Sequence, residues 1–160
     1  MVSDNYPTQM RYEHLRRMIR RAIPADSPRL VEIWEKAVRE THVFLTEADI
    51  QFYLPQVRDI YLPALEVWLF ENCRAAVGLI GLDGNKVEML FVDPAYHGEG
   101  IGKALLSHAQ DLKGKLTVDV NEQNPAALAF YLKRGFIKTG RSALDGEGRA
   151  FPLLHLAQVE

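Results

Sequence analysis

Hydrophobic and polar positions change period several times along this chain, and each change predicts an element. Leu30, Trp34, Ala37 and Val38 recur at helical spacing. Ser27 precedes them as a cap, and Pro28 takes the first helical position, where its missing N–H is no loss. A second helical stretch is expected from residue 47 to about 54, ended by Pro55, with a further turn over 58–62. The period then shortens to two. Over residues 66–70, Val67 and Leu69 fall on one face of a strand, Trp68 and Phe70 on the other. Asn72-Cys73-Arg74 turns the chain into a strand over 75–82, and Asp83-Gly84 predicts a hairpin with positive φ at both central positions. Residues 87–92 are apolar except for Glu88, the pattern of a strand buried on both faces, and Asp93-Pro94 stops it.

Helical spacing returns at Ile101, Ala104, Leu105, His108 and Leu112, and Gly114 closes that helix. Leu116, Val118 and Val120 then alternate with Thr117, Asp119 and Asn121 as a half-polar strand. Because a helix joins it to the 87–92 strand, the two are expected to run parallel. Asn124-Pro125 opens another helix, Gly135 stops it, and two further strands are expected over 136–140 and 152–159. A short first strand is expected near 18–22. Residues 1–17 are polar and aperiodic and read as a flexible N-terminal extension, leaving 18–160 as one domain.

Composition narrows the class without naming it. The 160 residues are 48% hydrophobic and 25% charged with a net charge of −2, which offers nucleic acid no basic face. No apolar run approaches the roughly 20 residues of a membrane helix, and no signal peptide is legible. A lone cysteine, Cys73, forms no internal disulfide, in keeping with a cytoplasmic setting. No Cys/His cluster has metal-binding spacing, so no metal is expected.

The chemistry concentrates after the 87–92 strand. Gly98, Gly100 and Gly102 stand at every second position and lead into a helix. Strand, glycine-rich turn and helix aim free backbone N–H groups at a phosphate, and a side chain there would hold the anion off. The spacing is not that of a Walker loop, since Gly102-Lys103 is followed by Ala104, nor of a dinucleotide fingerprint. His97-Gly-Glu-Gly-Ile-Gly102 resembles the acetyl-CoA segment of the GNAT acetyltransferase superfamily, Gln/Arg-x-x-Gly-x-Gly/Ala. Asn124-Pro-Ala-Ala-Leu-Ala-Phe-Tyr131, followed by Gly135-Phe136, resembles the second motif of that family. Residues 41–45 and 151–156 look most like its small bacterial YjaB-type members.

The resemblance implies a mixed α/β (α+β) fold: a mostly antiparallel sheet of six to seven strands with about four helices, splayed between the strand at 86–93 and that at 115–121. It implies transfer of an acetyl group from acetyl-CoA to a small-molecule or peptide amine in a ternary complex, by a monomer or homodimer. Leu90, Phe91, Val92, His97, Gly98, Glu99, Gly100, Ile101, Gly102, Lys103, Asn124 and Tyr131 would hold the cofactor. Tyr131 would be the general acid, protonated at neutral pH by virtue of an ordinary pKa of about 10. Glu88 is the candidate base, because an ionisable group in an apolar strand is costly unless paired or used. His42, Phe44 and Glu88 would touch the acceptor. His97 departs from the family's Gln or Arg, which predicts weaker phosphate binding. No acidic run marks a polycationic acceptor. An acyl-CoA-binding module without transferase activity, and a nucleotide-binding protein using the same loop, stay open at this point.

Overall fold

A computed structural model describes residues 13–159. In chain order it contains β1 (Ile19–Arg21), α1 (Ser27–Thr41), α2 (Glu47–Gln56), β2 (Glu66–Asn72), β3 (Ala75–Asp83), β4 (Lys86–Val92), α3 (Ile101–Lys113), β5 (Thr117–Asn121), α4 (Pro125–Leu132), β6 (Phe136–Ser142) and β7 (Leu153–Gln158). The strands form one sheet in the order β1-β2-β3-β4-β5-β7-β6. Every neighbouring pair is antiparallel except β4 and β5, which are parallel as the helical crossover requires.

Two cores lie on opposite faces of this sheet. Val67, Leu69, Leu79 and Met89 pack against Ile33, Trp34 and Val38 of α1 and Ile50 of α2. Phe70, Ile80, Leu82, Val87, Val118 and Val120 pack against Ile101, Leu105 and Tyr131 of α3 and α4. The alternation expected for Val67/Leu69 against Trp68/Phe70 is therefore present, with apolar cover on both sides. A Cβ on Gly78 would stand 2.9 Å from Ile101 Cγ2, so its absence brings the start of α3 against β3.

Some expected boundaries are corrected. Ser27 is the first residue of α1, not its cap. A 3₁₀ turn over Pro24–Asp26 runs directly into the helix, and Asp26 is held by Arg20 and by the Ile23 N–H. Pro55 does not end α2. Thr46 and Asp49 cap that helix reciprocally, and its backbone passes Pro55 into a π-helical turn over Val57–Tyr61. The turn with positive φ at both central positions is Cys73-Arg74 (51° and 67°), whereas in the β3–β4 hairpin only Gly84 has positive φ. Leu112 is exposed, and Leu106 and Ala109 complete the buried face of α3 instead. His108 sits at the margin, its ring edge-on to Trp68. Of the expected extension, residues 1–12 lie outside the described residues. Residues 13–16 form a helical turn whose Leu15 is buried beside Gly100, with Arg16 paired to Asp111.

The parallel pairing of β4 and β5 is short. Lys86 faces Thr117 and Val87 faces Val118, and the register then stops. From Glu88 onward the strands part, so among the described residues the β4 edge facing β5 is without a strand partner as far as Val92. The opening lies at the carboxyl ends of the parallel strands, where ligands enter sheets of this kind.

Candidate active site

Glu88 is set apart by backbone geometry. Gly81 faces Met89 while Leu82 faces Val87, which leaves Glu88 as the extra residue of a β-bulge in β4. A bulge re-aims a side chain, and here the alternation slips: Val87 packs toward α3 while Met89 packs toward α1. Glu88 is thereby exposed at the opening rather than buried, correcting the reading of this strand as covered on both faces at that position. Its Oε1 lies 3.2 Å from Lys86 Nζ.

Two cavities meet at the splay. The first, of about 520 Å³, runs between β4, the glycine turn, β5 and α4. Leu90, Phe91, Val92, His97, Gly98, Gly100, Ile101, Gly102, Lys103, Asn124 and Tyr131 line it, as do Glu88 and His42. Glu99 and Phe44 do not. Gly98 and Gly100 have φ of +82° and +80°, and Asp93 anchors the turn behind them. The buried Asp93 carboxylate accepts from the Ala95 N–H (3.0 Å) and from Arg29 (2.8 Å), and Arg29 also holds the Ala76 carbonyl. Burial would raise the Asp93 carboxyl, but those hydrogen bonds outweigh it and hold it below its ordinary value. The first helical bond of α3 is Ala104 N–H to the Gly100 carbonyl, leaving the amides of Ile101, Gly102 and Lys103 without an intrahelical acceptor. Asn124 caps α4 through its side-chain oxygen, 3.2 Å from the Ala127 N–H, leaving its amide nitrogen for a ligand. Tyr131 is enclosed by Phe130 and Phe136, each with its ring centroid 5.1 Å away, and burial pushes its hydroxyl well above the ordinary tyrosine range.

The second cavity, of about 500 Å³, lies on the α1–α2 side and ends at the β6–β7 loop. His42 and Glu88 line both cavities; Phe44, Lys86, Asp145, Glu147 and Phe151 line only the second. His42 closes α1 through its N–H to Val38, and its ring stands near Phe44 and Phe91. Thr41 Oγ1 donates to the Ala37 carbonyl, so its 2.8 Å contact with His42 Nδ1 is an acceptance. Where Thr41 keeps that donation, the imidazole proton is on Nδ1 and Nε2 is left as the acceptor. Burial lowers the His42 pKa to about 4, so this ring is neutral near pH 7.

Side chains far apart in sequence build the remaining wall. Tyr53 donates to Asp145 and Tyr61 to Glu147, and Arg149 pairs with Asp49 at 2.7 Å, so the β6–β7 loop is fastened onto α2 and its π-helical turn. Asp119, on β5, lines both cavities; it holds Lys86 Nζ at 3.0 Å and His155 Nδ1 at 2.6 Å, with His155 Nε2 at 2.7 Å from Ser142. The sequence reading missed Lys86, Asp119 and His155, and found no acidic cluster. The structure gathers Asp83, Glu88, Asp119, Asp145 and Glu147 around the second cavity. The half-polar period in β5 and the polar turn Asp145-Gly146-Glu147-Gly148 were the signals for it. Arg134, also missed, lies over the Phe130 ring at 3.8 Å, donates to the Phe130 carbonyl and lines the first cavity.

A mostly antiparallel sheet that opens at one parallel pair, with a glycine turn feeding a helix N-terminus beside the opening, is the arrangement that the resemblance to GNAT acetyltransferases implied. The chain belongs to that family: the model of the acetyltransferase (GNAT) domain matches residues 40–152. It is 41% identical over 142 residues to the peptidyl-lysine N-acetyltransferase YjaB of Escherichia coli, covering 88% of this chain and 96% of that protein. The solution structure of apo YjaB from the same organism superposes with a TM-score of 0.82 over the same shares of the two chains. The PaiA N-acetyltransferase of Thermoplasma acidophilum, in complex with coenzyme A, shares the fold at a TM-score of 0.70 and 19% identity, covering 89% of this chain and 98% of that one. The protein is accordingly an N-acetyltransferase.

Proposed function

We propose that this enzyme transfers the acetyl group of acetyl-CoA directly to the ε-amine of a peptidyl lysine. The observation that carries the reading is the junction of the two cavities at the splay, where Glu88 and His42 line both. The name of the relative at 41% identity supports a lysine acceptor, and the coenzyme A complex of a protein with this fold supports the donor. The carboxylates around the second cavity suit a cationic side chain.

The chain's own groups fit the donor. The unpartnered β4 edge at Leu90 and Val92 can pair with a pantetheine arm as a strand would. Amides of residues 98–103, with the α3 dipole, suit a pyrophosphate. What acetyl-CoA supplies is a thioester carbon open to attack. A backbone amide of Leu90 or Val92 would polarise its carbonyl. Glu88 would take the proton from the lysine ammonium, directly or through water, while the neutral His42 Nε2 accepts a hydrogen bond from the same amine. As the C–N bond forms and the C–S bond breaks, the Tyr131 hydroxyl would give its proton to the departing sulfur, and the second proton shed by the acylated nitrogen would return to the tyrosinate through water. Burial raises its pKa, so the hydroxyl is protonated at neutral pH.

The experiment that tests this supplies acetyl-CoA with two peptides: one with a blocked N-terminus and a single lysine, the other lysine-free with a free N-terminus. CoA release and a gain of one acetyl on the first alone are expected; acetylation of the second alone would redirect the reading to an α-amine.

A further inference from the structure

Lys86 occupies an unusual place for a lysine in an enzyme whose acceptor is itself a lysine. The parallel register ends at Val87 and Val118, so Glu88 and Asp119 are the first residues to face each other across the opening. Two carboxylates in that relation repel unless a cation lies between them. The Lys86 ammonium does so, 3.2 Å from Glu88 Oε1 and 3.0 Å from Asp119 Oδ2. His155 fixes the other oxygen of Asp119, and Ser142 fixes the far nitrogen of His155, so Asp119 is not free to turn elsewhere. Lys86 lines the second cavity, and both of its partners line both cavities.

We infer that Lys86 is a resident cation standing in for the acceptor: its ammonium holds the Glu88–Asp119 pair that an incoming lysine ammonium must claim, and it sets the affinity and charge selectivity of acceptor binding. The inference rests on the reading that a cationic amine enters the second cavity. Its energetics are modest by construction. The pair is partly exposed, with side-chain accessibilities of 38% for Lys86, 35% for Glu88 and 25% for Asp119, so an incoming ammonium can displace it. Burial works against the charge on Lys86, but its hydrogen bonds to Asp119 and attraction to Glu88 outweigh that and raise its pKa, so it does not leave by deprotonation. It can leave only by swinging outward. An empty cradle would bind a cationic acceptor more tightly, whereas the resident lysine keeps the two carboxylates paired, and Glu88 aimed, between turnovers.

The test uses n-butylammonium as a lysine side-chain analogue and n-butanol as its neutral control, titrated into the CoA-bound protein by calorimetry. Lys86→Met should bind butylammonium about fivefold more tightly than wild type, with butanol unchanged. Lys86→Arg, which retains a resident cation, should bind it as wild type does. Adding Asp119→Asn to Lys86→Met should abolish the gain. Unchanged or weaker butylammonium binding in Lys86→Met, or no binding to any variant, overturns the inference; a fall in melting temperature without a change in affinity would make Lys86 structural only. The lysine reading fails separately. If wild type acetylates no lysine peptide yet the butylammonium gain is seen, the cation site stands and the acceptor is another amine.

Discussion

The two cavities of this enzyme are of nearly equal size but are made in different ways. The first cavity, which we propose holds the donor, is built largely from neighbours in sequence: β4, the glycine turn and α3 are continuous from Lys86 to Lys113, and α4 follows across one strand. Its ligand-facing groups are mainly backbone, fixed by caps and by left-handed glycines. The second, which we propose takes the acceptor, is built from distant pieces, the end of α1, α2 and its π-helical turn, a bulge in β4, β5 and the β6–β7 loop. Its groups are side chains, held by bonds that span 86 to 100 residues. A backbone site of this kind suits one invariant cosubstrate; a side-chain site can change its acceptor by exchanging a few residues without disturbing the donor.

This contrast can be broken in graded ways. The largest effect is expected at Tyr131, which lines the first cavity and not the second. Tyr131→Phe should lower kcat about 100-fold or more, the range of a lost proton donor, while acetyl-CoA affinity measured by calorimetry stays within about twofold. A kcat that barely moves would remove Tyr131 from the chemistry. Next, Gly98→Val puts a β-branched residue at φ +82° with no atom of the described residues within 4 Å of the new Cβ, so their packing is spared and the turn and its ligand are touched. Acetyl-CoA affinity should fall about tenfold, with the acceptor KM unchanged. The mirror experiment is Arg149→Met, which unfastens the β6–β7 loop from Asp49. Here the peptide KM should rise about threefold while donor affinity holds. If each substitution disturbed both ligands equally, the two halves would not be separate constructions.

The smallest effect is on stability against pH. The folded His42 pKa, about 4 rather than 6.5, means the unfolded chain binds the proton first as pH falls. Stability should therefore be lost between about pH 6.5 and 4. His42→Gln should flatten that part of the melting-temperature profile. A profile identical to wild type would show that His42 is not held neutral in the fold.

The same contrast explains what the sequence made legible. Glycines at alternate positions after an apolar strand, and Asn124-Pro125 ahead of Tyr131, are local patterns with local causes, so the donor wall could be read residue by residue. Most strands followed from period and the parallel pair from its helical crossover, while the first strand and the count of six to seven rested on the family resemblance. The bulge at Glu88 was not legible, because it depends on which residue of β3 faces which residue of β4; unbulged, the strand looked buried on both faces. Asp119 showed only as one polar residue in an alternating strand, since its partners Lys86 and His155 arrive through sheet register. Pro55 misled because the π-helical turn that absorbs it draws on packing of Val57 in the core rather than on local preference. Thr46 and Asp49, a capping box in plain view, were legible but unread.

The central claim is that one acetyl group passes directly from CoA to a lysine amine at the splay, between Glu88 and Tyr131. A single-turnover experiment tests it most directly: enzyme in excess over acetyl-CoA labelled in the acetyl group, mixed with a lysine peptide blocked at its N-terminus and quenched over time. CoA and ε-acetyl-lysine should appear at one common rate, with no label on the enzyme at any time. A burst of CoA ahead of acetyl-lysine, with label on the protein, would contradict direct transfer, and label absent from the lysine would contradict the acceptor.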